Sequence, residues 1–527
     1  MTLLKSPSRQ IKMILPIVFL FCFSVLLRFL YLGTIFQSSD NARLAANIIL
    51  FPGYAWMIKE NYGFLINLYT KLFVRLVSLL GITVTELVWK TPVALIGALQ
   101  PPLTYFFLRR MGCKKIGSFC GAALISVAPL HVFQSRFLGG QEVLGVFFVT
   151  LAIWKLVDFF EVPTVRTGLI ASFFVGLYQI SHGYILPFLP CLICISVLFA
   201  STYPEAPFLK SFWLSSLLSI KNFLWLFPLL FVPLSYYSLR HIFIDRGGGK
   251  LGCYLFDYIP VFVATLGLPL TLFFCLSVIV SIFSKKVRSK KNILFIICGS
   301  LYLIPIFIDI SPDSGTVVSG YFLMGAYFLI LQLSCVCDEL AKSHQKIIGF
   351  LVCVCFLATF WGTVESIFGQ DKWFDPSLVK KERGDISDPG SKAAGYLIRK
   401  YVPSSSKVLA IHRKIEPPVL FYYFGRNDYS WFDLSLNKSI NKFLEYKDEA
   451  DVVVCEEKQK SVVGADGGFK KRVVIYSDSE DEPMLIYTRS WINIPAADIS
   501  PRERIRLNNA YDKEYAIGWR EIYRDVR

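Results

Sequence analysis

Four short segments of this chain place acids, bases and forked donors where an apolar run ends. Asp40 lies in Gln37-Ser-Ser-Asp40-Asn-Ala-Arg43, just after the first run. Its carboxylate can take a proton from an attacking nucleophile, and Asp is equally a good helix N-cap. Arg136 leaves a later run and is followed by Gly139-Gly140 and then Glu142. An Arg fork matches phosphate oxygens, although an Arg at this depth also snorkels towards head groups. Glu142 opens the next helix, where its charge suits the helix dipole. His182 in Ser181-His182-Gly183 can donate to a phosphate or act as acid or base, or sit satisfied in a turn. Arg240, His241, Arg246 and Lys250 add positive charge after another run. The glycines between Arg246 and Lys250 lack the spacing of a nucleotide-phosphate loop. A charge at the centre of a bilayer costs about 2.5–3.5 kcal/mol, so polar groups sharing one end of several spans point to a site at that end.

The elements that position these groups are apolar helices. Hydrophobic residues make up 54% of the 527 positions, and mean hydropathy is +0.51. Spans of roughly the 20 residues needed to cross hydrocarbon fall at 13–32, 92–108, 116–133, 143–160, 169–181, 184–200, 223–239, 258–283, 293–308, 317–333 and 347–361. The chain therefore reads as an α-helical polytopic membrane protein with about 11 transmembrane helices. Lys and Arg accumulate on the cytoplasmic side of a membrane. Lys5, Arg9 and Lys12, then Arg109, Arg110, Lys114 and Lys115, then Arg166, Lys210, Lys221, Lys285 to Lys291, Lys342 and Lys346 all fall on one side of this topology. That puts the N-terminus in the cytoplasm and, with an odd number of spans, the polar C-terminal third outside. The first run is too long to read as a cleaved signal peptide.

The net charge of +16 is thus largely topogenic, carried in short loops rather than on a continuous basic face, and argues against a nucleic-acid partner. Most of the 13 cysteines lie in apolar runs, where Cys behaves as a small hydrophobe. Cys191 and Cys194 have CxxC spacing without a second pair nearby, and Cys253 and Cys455 both fall on the outer side. No spacing signature calls for a metal, and no motif names a cofactor.

Residues 38–90 form a long first external loop. Its 64–80 segment repeats apolar residues at helical spacing, interrupted by Lys71 and Arg75, and predicts helices lying at the interface rather than a further span. The transmembrane domain occupies 1–365. From 371 to 527 the chain turns polar and predicts an extracytoplasmic α/β domain, with a helix at 391–401 and strands at 407–411, 419–424, 451–455, 472–476 and 484–487.

In their order, these features resemble the C-type integral-membrane glycosyltransferases, the superfamily of protein O-mannosyltransferases and the aminoarabinose transferase of lipid A. The resemblance rests on a first span, an acid at Asp40 opening an external loop, the block TPVALIGALQPPLTYFFLRRMGCKKIGSFCGAALISVAPLHVFQSRFLGGQE, and a span ending in SHG. It covers residues 10–200 and the remaining spans by hydropathy. It implies transfer of a monosaccharide from a polyprenyl-phosphate donor to a lipid, glycan or protein acceptor on the outer face of an inner membrane. By the same resemblance Asp40 is the base or the acceptor-positioning acid, Glu142 the second acid, Arg136 the basic residue preceding it, and His182 a donor-phosphate contact where relatives often carry Lys. Two departures are Asn41, in place of a second acid, and Gly320-Tyr321, which lacks a preceding basic residue; they shift the expected donor grip to Arg240, Arg246 and Lys250. A transporter or flippase of a lipid-linked or small anionic substrate is the alternative, but the two halves look unlike and the charges gather at one end rather than at the midplane.

Overall fold

A computed structural model of the chain describes residues 7–30, 32–33, 44–45, 48, 64–138, 140–162, 164–181, 263, 266–285, 287, 289–309, 322–368, 390–411, 420–425, 429–430, 441, 443–465, 467–476 and 483–515. Two compact units divide it. One comprises residues 1–30, 54–69 and 91–379, and the other residues 31–53, 70–90 and 380–527.

The first unit is helical. Its elements are α1 (Pro7–Phe29), the start of α2 (Phe64–Leu79), most of α3 (Glu86–Arg110), α4 (Lys115–Val127), α5 (Pro129–Ser135), α6 (Gln141–Glu161), α7 (Val165–Ser181), α8 (Leu268–Phe283), α9 (Lys290–Asp309) and α10 (Leu323–Phe368). Helices therefore occupy nine of the expected spans, while 184–200 and 223–239 lie outside the described residues. Among the described residues, α3 and residues 323–364 of α10 are long and apolar enough to cross a membrane, and α4 with α5 forms a further, bent candidate. α2 is a helix of 16 residues, shorter than the roughly 20 needed to span hydrocarbon.

α4 and α5 are one apolar run broken by Pro129, and the two meet at 56°. A residue before proline is pushed out of the helical region, and Ala128 sits at φ −60°, ψ 118°. Pro129 then begins the next helix, where its missing N–H costs nothing. Such a break strands the last carbonyls of α4, which in an apolar medium must find donors. Arg28 of α1 supplies them to Ser126 O (3.3 Å) and Ile125 O (3.5 Å), and the Thr363 hydroxyl donates to Val127 O.

α10 is two arms. His344 leaves the helical conformation (φ −134°, ψ 45°), and the contacts on either side require a reversal there. Asp338 touches Lys114 and Gly117 at the start of α4, whereas Thr363 touches Val127 at its end. In an unbroken helix those two residues would stand about 37 Å apart, but the matching points on α4 are separated by only about 15–20 Å at the 1.5 Å helical rise. Residues 323–343 hence run antiparallel to α4 and residues 345–368 parallel to it, which recovers the two spans expected from the sequence. The first arm packs closely because Gly117 and Gly121 face it. A Cβ on Gly117 would lie 2.7 Å from Ser334 O, and one on Gly121 2.5 Å from Ser334 Oγ. This is a small-xxx-small contact. Buried polar bridges join other helices: Gln332 reaches Ser277 and Ser281 of α8, and Tyr327 joins Thr104 and Thr150.

The second unit is a six-stranded mixed sheet in the order β2-β1-β3-β5-β4-β6. The strands are β1 (Val408–Ile411), β2 (Tyr429–Ser430), β3 (Val452–Glu456), β4 (Lys470–Ile475), β5 (Met484–Thr488) and β6 (Ala497–Ile499). β1 pairs in parallel with β2 and β3, β5 runs antiparallel to β3 and β4, and β6 is parallel to β4. β1, β3 and β5 are buried along their whole length, as in a sheet covered on both faces. Leu409, Val453, Phe443, Phe469 and Leu485 share one core cluster. Helices α11 (Ser391–Tyr401), α12 (Lys460–Ala465) and α13 (Pro501–Tyr515) complete the unit. Of the five expected strands, the run at 419–424 is not one. Leu420–Phe424 forms a single π-helical turn, whose carbonyls at Tyr422 and Tyr423 accept from the Arg399 guanidinium instead of a neighbouring strand.

Candidate active site

Of the residues singled out by sequence, Arg136 and Glu142 are described. Asp40, His182, Arg240, Arg246 and Lys250 lie outside the described residues. Arg136 ends α5 and is 1% exposed. Its Nη1 donates to the carbonyls of Leu27 (3.1 Å), Arg28 (3.1 Å) and Leu30 (2.6 Å), the C-terminal carbonyls of α1. The side chain therefore closes a helix end, an arrangement that neither the phosphate fork nor the snorkelling reading anticipates.

Arg28 returns the favour. Also fully buried, it bonds Ser24 and the end of α4 and reaches the far side of the break through His131 Nδ1 (2.7 Å) and Ser135 Oγ (3.3 Å). Since Arg can only donate, Nδ1 accepts and the His131 proton sits on Nε2. The two guanidiniums clasp α1 and the broken α4–α5 pair reciprocally: each caps the end of the helix that carries, or adjoins, the other. Arg28 belongs to none of the four segments singled out by sequence, although an ionisable residue inside the first apolar run is itself a signal for a functional site.

Glu142 stands in the first turn of α6 and is 5% exposed. The turn that links it to Arg136 is tight: Gly140 N donates to Phe137 O (3.0 Å), and a Cβ on Gly140 would lie 2.1 Å from Gln134 O. Only glycine fits there, so Gly140 sets the approach of the acid. The clasp and Glu142 occupy one end of the unit. Arg110, at the close of α3, binds Asp158 (2.9 Å) and Glu161 at the close of α6, so those two helices run in the same direction and Glu142 lies at the end away from Arg109, Arg110, Lys114 and Lys115. Among the described residues, no group of three His, Cys, Asp or Glu is placed to hold a metal ion.

The second unit has its own buried charges. Lys392 bridges Glu86 (2.9 Å) and Asp512 (2.7 Å), and Tyr423 donates to the other oxygen of Glu86 (2.9 Å). Trp89 Nε1 donates to the Tyr422 hydroxyl (3.0 Å), while Arg399 lies over the Tyr511 and Tyr515 rings. Burial pulls the Lys392 ammonium down, but the charges of Glu86 and Asp512 outweigh it and hold the group above the ordinary lysine value. Burial, with Glu86 close by, raises Asp512. The cavity beside them is about 10 Å³, barely the space of a water molecule. Among the described residues this cluster anchors the first turn of α3.

The fold has a counterpart among solved structures. It is similar to the crystal structure of ArnT from Cupriavidus metallidurans bound to undecaprenyl phosphate, with a TM-score of 0.57 and 12% identity over 89% of this chain and 97% of that chain. No protein-family model matches the sequence, and no curated protein matches it.

Proposed function

We propose that this chain is a membrane glycosyltransferase that moves one sugar from a polyprenyl-phosphate donor to a lipid, glycan or protein acceptor outside the cytoplasm. The observation that carries the reading is the shared fold with ArnT over nearly the whole of both chains. Glu142 and a double-arginine clasp at the end away from the basic loops support it, because lysine and arginine mark the cytoplasmic side. An acidic residue and buried positive charge at the outer end suit a donor whose phosphate already faces that compartment, so no nucleotide sugar is required.

In the proposed reaction Asp40 takes the proton of the acceptor hydroxyl, and the oxygen attacks the anomeric carbon. The bond from that carbon to the lipid phosphate breaks with inversion, and the phosphate leaves with the electron pair. His182, Arg240, Arg246 and Lys250 stabilise it as its charge develops. Glu142 orients the acceptor. Arg136 acts at one remove, since its Nη1 holds the end of α1.

The test is transfer by purified protein from a synthetic polyprenyl-phosphate sugar, read as release of polyprenyl phosphate. Asp40→Asn keeps a helix-capping oxygen but loses the base, so turnover should fall by roughly 10²–10⁴-fold while donor binding persists. Near-normal turnover in well-folded Asp40→Asn protein would remove Asp40 as the base.

A further inference from the structure

We propose a second lipid site in the first unit, at the end opposite Glu142: a cleft that takes one acyl chain of an anionic phospholipid and sets its phosphate on Lys115. The site rests on the reading that this unit crosses a bilayer. The cleft has a volume of about 580 Å³, within the range of small-ligand sites. Phe19 of α1, Tyr105 of α3, Phe119 of α4 and Phe356 of the second arm of α10 form its walls. Gly349 widens it, because a Cβ there would meet nothing within 4 Å. An apolar space of this size open to a bilayer is filled by hydrocarbon, and the question is which lipid it selects.

Charge answers that question. Among the described lining residues Lys115 carries the formal charge, and it is the first residue of α4. Its ammonium attracts a phosphate as a point charge, the helix start itself being already capped by a carboxylate. The nearest acid at that helix start is Asp338, which accepts from Lys114 N and Gly117 N. Residues 115 and 117 differ by about 200° around a helix, so the acid and the ammonium occupy opposite faces of α4. Lys346, exposed one turn before Gly349, adds a second positive charge on the facing arm. Because this mouth lies at the basic end of the unit, its lipid comes from the leaflet away from Glu142 and is not the sugar donor.

The experiment counts lipids bound to the full-length protein by native mass spectrometry after addition of phosphatidylglycerol or phosphatidylcholine. One phosphatidylglycerol per chain should survive detergent levels that strip phosphatidylcholine. Gly349→Leu, which fills the cleft, should abolish that copy, and Cys353→Phe, at an exposed lining position, should do the same. Lys115→Gln should weaken it about tenfold and erase the preference over phosphatidylcholine. Equal retention of the two lipids, or full retention by both cleft-filling variants, overturns the site. Displacement of that copy by polyprenyl phosphate overturns its assignment to a phospholipid. Sugar transfer is scored separately, so a protein that binds phosphatidylglycerol but transfers no sugar refutes the proposed reaction and leaves this site standing.

Discussion

Arg136 shows how one side chain can be legible in type and illegible in role. It stands at the end of an apolar run, before a glycine pair and an acid. Its partners, Leu27, Arg28 and Leu30, lie more than 100 residues earlier, and no local pattern reveals a guanidinium that caps a distant helix. Buried carbonyls that lose their donors cost about 1–3 kcal/mol each. Arg136→Ala should accordingly lower the thermal stability of the purified protein substantially, in contrast to a phosphate contact, whose loss weakens donor binding and leaves the fold alone. Arg28→Ala should destabilise at least as much, since it strips donors from Ser126 and Ile125 and leaves His131 and Ser135 without theirs. Unchanged melting of Arg136→Ala, with weakened donor binding, would return Arg136 to the phosphate role.

At the level of elements, the apolar runs were readable because a helix in hydrocarbon must satisfy its own backbone and so writes its length directly into the sequence. The break between α4 and α5 was present as Pro129, and the close packing of α4 as Gly117 and Gly121, spaced four apart. What contacts them is not in the spacing. Gly121→Leu drives side-chain atoms into Ser334 and Leu108, and overpacking of this kind costs about 1–3 kcal/mol. A melting temperature equal to wild type in that variant would refute the close approach of the first α10 arm. The π-helical turn at Leu420–Phe424 was misread as a strand because aromatic runs favour strands, whereas Arg399 claims its carbonyls. The anchor around Lys392 has a pH signature. Its pKa is raised above 10.5, so the stability it contributes is complete below that pH and is lost as pH rises through the folded value. Asp512, also raised, adds no acid-labile stability, because a carboxyl with an elevated pKa holds its proton better in the folded state. Melting of the purified chain should therefore weaken above pH 10.5, and less steeply in the Glu86→Gln, Lys392→Met double variant. An equally steep decline in both proteins would detach the pH dependence from this anchor.

For the molecule as a whole, the charge of +16 matters through where it lies. Loops expected on one side do converge within the first unit. A Cβ on Gly112 would meet Lys291 Nζ at 2.8 Å, Cys113 Sγ is 3.4 Å from Cys335 Sγ, and Lys114 N binds Asp338 near the turn that carries Lys342 and Lys346. That common end is basic, and we propose on the positive-inside rule that it faces the cytoplasm. We propose that the C-terminal sheet unit lies outside, as an odd number of spans would put it. Single cysteines labelled in intact cells with a membrane-impermeant maleimide, each compared with the unsubstituted protein, test this. Ser404→Cys, exposed in the second unit, should react from outside. Ser343→Cys, exposed at the turn between the α10 arms, should react only after the membrane is permeabilised. Labelling of both from the same side would mean that the basic end is not cytoplasmic or that the sheet domain is not external. Either outcome would remove the outward-facing donor phosphate on which the proposed transfer depends.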